Sequence, residues 1–206
     1  YDIAYLGCLP GFILMAASSE PKLAAMMATL AEIDDAPSAL RYPRGALMGL
    51  PVPDDVAPLE IGRGRVVREG ADAAILSYGA RLSDALGAAD LLLKQGVDLT
   101  VADARFAKPL DLDLALSLFE NHAVVASLEE GSAGGFSALL ADALHRAGRS
   151  DLLVRHVPLH LPDRFIYHGK PADQLAEAGL DAAGLAERML AALNAPNAAR
   201  RMLAGE

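Results

Sequence analysis

Few residues in this chain have the type and spacing for chemistry, and two short segments hold most of them. The first is Arg41-Tyr42-Pro43-Arg44-Gly45. Two guanidinium groups three residues apart, with a proline stiffening the turn between them, suit a phosphate or a carboxylate. The segment ends a predicted strand, where open α/β sheets place their ligand crevices. An equally plain reading makes Arg41 and Arg44 surface cations, paired across an interface. The second segment is Glu129-Glu130-Gly131-Ser132-Ala133-Gly134-Gly135-Phe136, a glycine-rich turn into a predicted helix. Free N–H groups at a helix start can hold an anion, but two carboxylates just before it would repel that anion. Glu129 and Glu130 are therefore expected to cap the helix or to pair with arginines across a subunit boundary.

The remaining candidates favour structure over chemistry. Asp103, Arg105 and Asp111 read as a salt-bridge network at a strand end, which needs no catalytic explanation. His156 and His160 share one face of a predicted strand, yet no third metal ligand stands near them. Cys8 has no neighbouring His or Lys to activate it and is expected to be a buried structural thiol. The chain holds no phosphate loop and no G-x-S-x-G nucleophile elbow, and Gly62-Arg63-Gly64 precedes a strand where a dinucleotide fingerprint would precede a helix.

The elements that must position these groups read as α/β. Gly11–Ser18 is a short apolar run expected to form a strand buried on both faces. Ser18, Ser19, Glu20 and Pro21 then open a helix, whose Leu23, Met26, Met27 and Leu30 are expected to face the core. A strand follows over 38–45. Residues 46–62, with Pro51, Pro53 and Pro58, have no sustained period and read as a linker passing extended over the surface. Beyond it strands and helices alternate: strands over 63–69 and 71–79, a helix with Leu82, Leu86, Ala89 and Leu93 on one face, a strand over 97–106 and a helix after Pro109. Next come a strand over 122–131, a helix from Phe136, a strand over 152–159 and two closing helices. Alternation at this spacing predicts parallel pairing with right-handed crossovers. The predicted fold is α/β, a three-layer, parallel-rich sheet flanked by helices over residues 56–206, preceded by a partial α/β unit over residues 1–55.

Composition sets outer bounds. The 206 residues are 53% hydrophobic and 22% charged, so a full core can form. A net charge of −9 lacks the basic footprint of a nucleic-acid binder. No apolar run approaches the ~20 residues that span a bilayer, so no membrane partner is expected. One cysteine and no secretory pattern point to a reducing, cytoplasmic setting. The chain begins at Tyr1 with no initiator Met, as though cut from something longer.

Taken in order, YDIAYLGCLPGFILMAASSEPKL, ALRYPRG, VADARFAKPLD, LEEGSAGGF, LPDRFIYHGKP and AEAGLDAAG resemble the 1-deoxy-D-xylulose-5-phosphate synthase family over nearly the whole chain. The resemblance implies the carboxyl-terminal third of a three-domain enzyme: residues 1–55 as the end of the pyrimidine-binding domain, residues 56–206 as a transketolase C-terminal domain. It implies a homodimer that condenses pyruvate with glyceraldehyde 3-phosphate, losing CO2, at thiamine diphosphate with Mg2+. The product supplies isoprenoid, thiamine and pyridoxal synthesis. Arg44 takes the family's role of holding the aldehyde phosphate, with Arg41 a weaker second. The catalytic, cofactor-binding and metal-binding residues of the family lie in other segments, so this stretch alone is expected to bind no cofactor and to be inactive. Tyr1 stands where relatives usually have Phe, and Gly7 where an arginine is frequent. Two other readings stay open: a non-catalytic dimerisation module, or the same unit of another transketolase-like thiamine enzyme, against which RYPRG with LPDRFIYHG speaks.

Overall fold

The computed structural model describes residues 1–43, 45 and 48–195. Its main sheet grows from the second half of the chain. β3 (Arg65–Arg68), β4 (Ala73–Tyr78), β5 (Leu99–Asp103), β7 (Val124–Glu129) and β8 (His156–Leu159) lie in the order β3-β5-β4-β7-β8. The β4–β5, β4–β7 and β7–β8 pairs are parallel and β3 joins the edge antiparallel to β5, which gives the parallel-rich sheet expected from the sequence. Such a strand can close an edge without a crossover helix.

Every residue of β4, β5 and β7 is buried, because both faces of the sheet are covered. The period of two along β4 sorts its side chains between two cores. Ala73 and Ile75 pack with α3 (Leu82–Leu93) and α7 (Ala182–Asn194), through Leu92, Leu185 and Met189. Ala74, Leu76 and Tyr78 pack on the opposite face, against Phe119 of α4 (Leu112–Asn121) and Phe136, Leu140 and Leu144 of α5 (Phe136–Arg146). Gly179, at φ +66°, ends α6 (Pro171–Ala178) in the left-handed conformation that glycine adopts without strain.

A second, smaller sheet forms from the first half. β1 (Ile13–Ala16) is buried throughout, as its apolar run predicts, and pairs parallel with β2 (Ser38–Arg41). Its other neighbour comes from beyond the linker: β6 (Phe106–Lys108) pairs antiparallel with β1. This strand, and the helix α1 (Asp2–Gly7), have no periodic signal of their own in the sequence. Leu14, Ala16 and Ile3 share the core of Phe136 and Leu140, so the halves on either side of the linker are packed into one another.

Several local expectations are corrected. In α2 (Glu20–Ala31) Met26 is fully buried but Met27 is 55% exposed, since the helix turns only residues about one face toward β1. In α3 Leu92 takes the core position, and Leu93 faces solvent. The strand predicted over 152–159 starts late: Ser150–Arg155 is a 3-10 helix that packs on α5, and only β8 joins the sheet. The strand predicted over 38–45 ends at Arg41. Cys8 is exposed, and its thiol donates to the Tyr5 carbonyl at 3.1 Å. The linker is largely exposed, as expected, but pinned to α2: Leu59 N–H donates to Thr29 Oγ1 and Gly49 N–H to Glu20 Oε1, each at 2.8 Å.

Candidate functional site

Beyond the carboxyl ends of β1, β2 and β4 lies a cavity of about 730 Å3. Open α/β sheets bind ligands at this end because the loops that leave the strands there converge without helices to fill the space. Ser18, Tyr42, Met48, Arg81, Glu130 and Ile166 are among its walls. The arginine-bearing turn thus borders the cavity: Tyr42, Pro43 and Gly45 all line it, while Arg44 itself lies outside the described residues.

Arg41 is placed behind the rim. Its Nε stands 3.4 Å from Asp2 Oδ2, and its Nη1 donates to the backbone carbonyl of Glu130. One guanidinium therefore joins the end of β2 to α1 and to the glycine-rich turn. Of the roles the sequence leaves open to Arg41, the ion pair is the one whose partners are visible. A smaller cavity of about 130 Å3 opens beside it, bounded by Arg41, Tyr78, Gly79 and Glu130.

Glu129 and Glu130 have separate duties. Glu129 is fully buried, and its Oε1 accepts the Ser137 N–H at 3.0 Å, so it satisfies a donor in the first turn of α5. Its Oε2 is buried without a partner. A Cβ on Gly131 or Gly135 would collide with that oxygen, which explains why glycine occupies both positions. Burial raises the carboxyl above its ordinary range, against the pull of the Phe136 and Ser137 N–H groups. Glu130 reaches the cavity, where its Oε2 lies 3.2 Å from Arg81 Nε, too poorly aligned for a hydrogen bond there.

Arg81 is the cavity cation that motif reasoning missed. It sits just past Gly79, whose φ of +84° turns the chain sharply out of β4, and the position after a strand-ending glycine is the signal that marks it. Asp84 pairs with it at 3.0 Å, and burial raises the Asp84 carboxyl. With Asp84 on one side and Glu130 on the other, Arg81 is neutralised by the protein itself. The cavity offers apolar walls and a few fixed polar groups, an arrangement for holding and orienting a molecule.

The other candidates do not converge on it. His156 shares a hydrogen bond of 2.8 Å with Ser127 and lies edge-on to Phe119, and burial pushes its imidazole down to about 4. His160 Nδ1 donates to the Leu161 carbonyl at 2.8 Å. The two are not brought together, and no group of three or more His, Cys, Asp or Glu among the described residues could hold a metal ion. Nor do Asp103, Arg105 and Asp111 form one network. Asp111 accepts the N–H groups of Gly64 and Leu114 at 2.9 and 3.0 Å, while Asp103 pairs with Arg65 at 3.5 Å. Among the described residues no helix is long and apolar enough to cross a membrane.

Comparison with known proteins agrees with this architecture. The transketolase C-terminal domain family matches residues 62–185. The chain is 46% identical over 210 aligned positions to 1-deoxy-D-xylulose-5-phosphate synthase 1, chloroplastic, of Oryza sativa subsp. japonica, an alignment that covers 96% of this chain and 29% of that protein. The chain therefore spans less than a third of that relative's length. Among solved structures, a split-gene transketolase described as an inactive β4 tetramer superimposes with a TM-score of 0.78 at 25% identity, over 93% of this chain and 61% of that one. A mutant transketolase of Pichia stipitis superimposes at 0.66 with 18% identity, over 92% of this chain and 26% of its own, a likeness of fold.

Proposed function

The chain belongs to the transketolase C-terminal domain family, and from that premise we propose that it is the carboxyl-terminal part of a thiamine-dependent synthase that joins pyruvate to glyceraldehyde 3-phosphate, with loss of CO2, to give 1-deoxy-D-xylulose 5-phosphate. Residues 1–55 then complete the pyrimidine-binding domain, and 56–206 form the C-terminal domain. The observation that supports the reading is that Tyr42, Pro43 and Gly45 line the cavity, in a chain whose curated relative has that name.

In this reading Arg44 holds the phosphate of the aldehyde, a charge-assisted contact worth roughly 1.5–3 kcal/mol, and Arg41 braces the turn from behind. Thiamine diphosphate with Mg2+ serves the whole enzyme. The described residues of the cavity do not suit its diphosphate: Arg81 is already paired with Asp84 and Glu130, and the Glu20 carboxylate also borders the space. The chain's contribution is to shape one wall of the substrate site and to stabilise the assembly as a homodimer. Phe165 and Tyr167, 90% and 88% exposed, supply apolar surface for such an interface. By itself the chain is expected to be inactive, and the split-gene transketolase it superimposes on is likewise an inactive β4 tetramer.

The test is Arg44→Ala in the intact enzyme that carries this chain. KM for the phosphorylated aldehyde rises about tenfold or more while pyruvate saturation is unchanged. An unchanged KM removes Arg44 from the site.

A further inference from the structure

We propose that Lys22, Arg65 and Arg105 form a phosphate-binding site built around Asp103, separate from the arginine turn at the cavity mouth. The anchor is Asp103, fully buried at the end of β5. Its Oδ2 accepts the Ser18 hydroxyl at 2.8 Å, and its Oδ1 takes the Arg105 N–H at 3.3 Å. Arg65 stands directly opposite Asp103 in the β3–β5 ladder and pairs with it at 3.5 Å. Lys22 lies one helical turn beyond Ser18, in the first turn of α2.

Three observations mark this cluster as made for an anion. The first is its charge. Three cations face one carboxylate, 3 − 1 = +2, in a chain whose net charge is −9. Among the described residues neither Lys22 nor Arg105 has a carboxylate in salt-bridge contact. The second is unmet hydrogen bonding: the Nε atoms of both Arg65 and Arg105 are shut from solvent with no acceptor. A buried donor left unpaired costs about 1–3 kcal/mol, so two together point to an acceptor that belongs there. The third is backbone strain. Arg105 has φ +57°, the one non-glycine residue so placed among those described. Its N–H goes to Asp103, and its carbonyl takes the Ala16 N–H at 3.0 Å. Such a conformation persists where the surroundings over-determine it, and it gathers at binding sites.

The three cations also feel one another. Burial, then Arg65, then Arg105 lowers the Lys22 ammonium, and burial and Arg65 lower the Arg105 guanidinium. Two formal positive charges in excess match one phosphate dianion. A single carboxylate would leave half of that excess unbalanced. Arg65 is 38% exposed along its side chain, and Lys22 and Arg105 are half-buried, so a small anion reaches the cluster from solvent and the two guanidinium groups turn to offer it their Nε atoms.

Calorimetric titration of the chain with inorganic phosphate, at constant ionic strength held with chloride, tests the site. Saturable binding of one phosphate per chain is expected. Lys22→Gln and Arg65→Gln should each weaken it about tenfold, the loss typical of a charge-assisted contact, whereas Arg44→Ala leaves it intact. Arg105→Asn, which tolerates the left-handed backbone, should behave as the first two do. Where a variant is less stable, the phosphate-induced rise in Tm gives the same comparison. Uptake that never saturates, or saturable binding indifferent to Lys22→Gln and Arg65→Gln, overturns the proposal. So does loss of binding in Arg44→Ala alone, which places the phosphate at the cavity mouth. Concentration-dependent self-association that Lys22→Gln abolishes, without phosphate uptake, also overturns it and assigns the cluster to a carboxylate of a second copy.

Discussion

Glu129, at the last position of β7, accepts the backbone N–H of Ser137 across the glycine-rich turn at 3.0 Å, from a site with no solvent exposure. One carboxylate thus terminates a central strand and starts the next helix. The cost is a charge held in the core, and stability should follow its titration. A carboxyl raised in the folded state stays protonated there when the unfolded chain has already ionised. Stability is therefore lost as pH rises from the unfolded carboxylate range through the higher folded value. Glu129→Gln keeps the acceptor and removes the charge, so urea midpoints measured from pH 4 to pH 8 should fall less steeply in the variant. Parallel slopes would show that Glu129 does not carry the pH dependence.

The same carboxylate explains Gly135. Gly135→Ala places a methyl against Glu129 Oε2 and should destabilise by about 1–3 kcal/mol. Because the clash needs that oxygen, the penalty should shrink in a Glu129→Ala background. A double-mutant cycle with no coupling would refute the contact.

His156 predicts an acid limit. Its imidazole is pushed down to about 4 by burial beside Ser127, while the unfolded residue titrates near 6.5. The unfolded chain gains a proton first, so stability falls as pH drops from about 6.5 toward 4, by about 3 kcal/mol. His156→Gln should flatten that fall. Chemical denaturation at pH 7 and at pH 4.5 compares the two proteins directly.

Asp111 holds three things at once. It caps α4 through Leu114 N–H, takes the Gly64 N–H where the linker enters β3, and lies 3.6 Å from Arg63. Asp111→Ala should cost about 2–3 kcal/mol, more than a helix cap alone. Asp111→Asn, whose single amide oxygen can accept only one of the two N–H groups, should recover only part of it, as thermal melts would reveal.

Arg41 and Arg44 should separate in their effects. Arg41→Ala unties β2 from Asp2 and from the Glu130 carbonyl, so it should lower Tm of the chain by several degrees. In the intact enzyme Arg44→Ala should act on the aldehyde KM. If Arg41→Ala leaves Tm unchanged, the bracing role assigned to it fails.

Much of the α/β order is legible in the sequence because local periodicity carries it. The apolar run Gly11–Ser18 reads as a strand buried on both faces, and β1, Ile13–Ala16 within it, is buried throughout. The 3.6-residue pattern locates α3, α4, α5 and α7 to within a few residues. The expected role of Glu129 also follows from charge, since a carboxylate cannot share a helix start with an anion. Other features are illegible for a physical reason. β6 is three residues long, and only pairing with β1 makes it a strand. Cys8, Met27 and Leu93 depart from expectation because a stripe or a residue type gives a tendency to be buried, while exposure depends on which neighbour arrives.

The sequence by itself determined the class of fold, the family resemblance and the segments that border the cavity, since motifs and short-range periods are properties of neighbouring residues. The tertiary structure alone decided how distant charges meet. Arg41 reaches Asp2 and Glu130, Arg81 is neutralised by Glu130, and Lys22, Arg65 and Arg105 gather round a buried Asp103. Electrostatic energy depends on separation and burial in space, and neither distance nor dielectric environment is written along the chain.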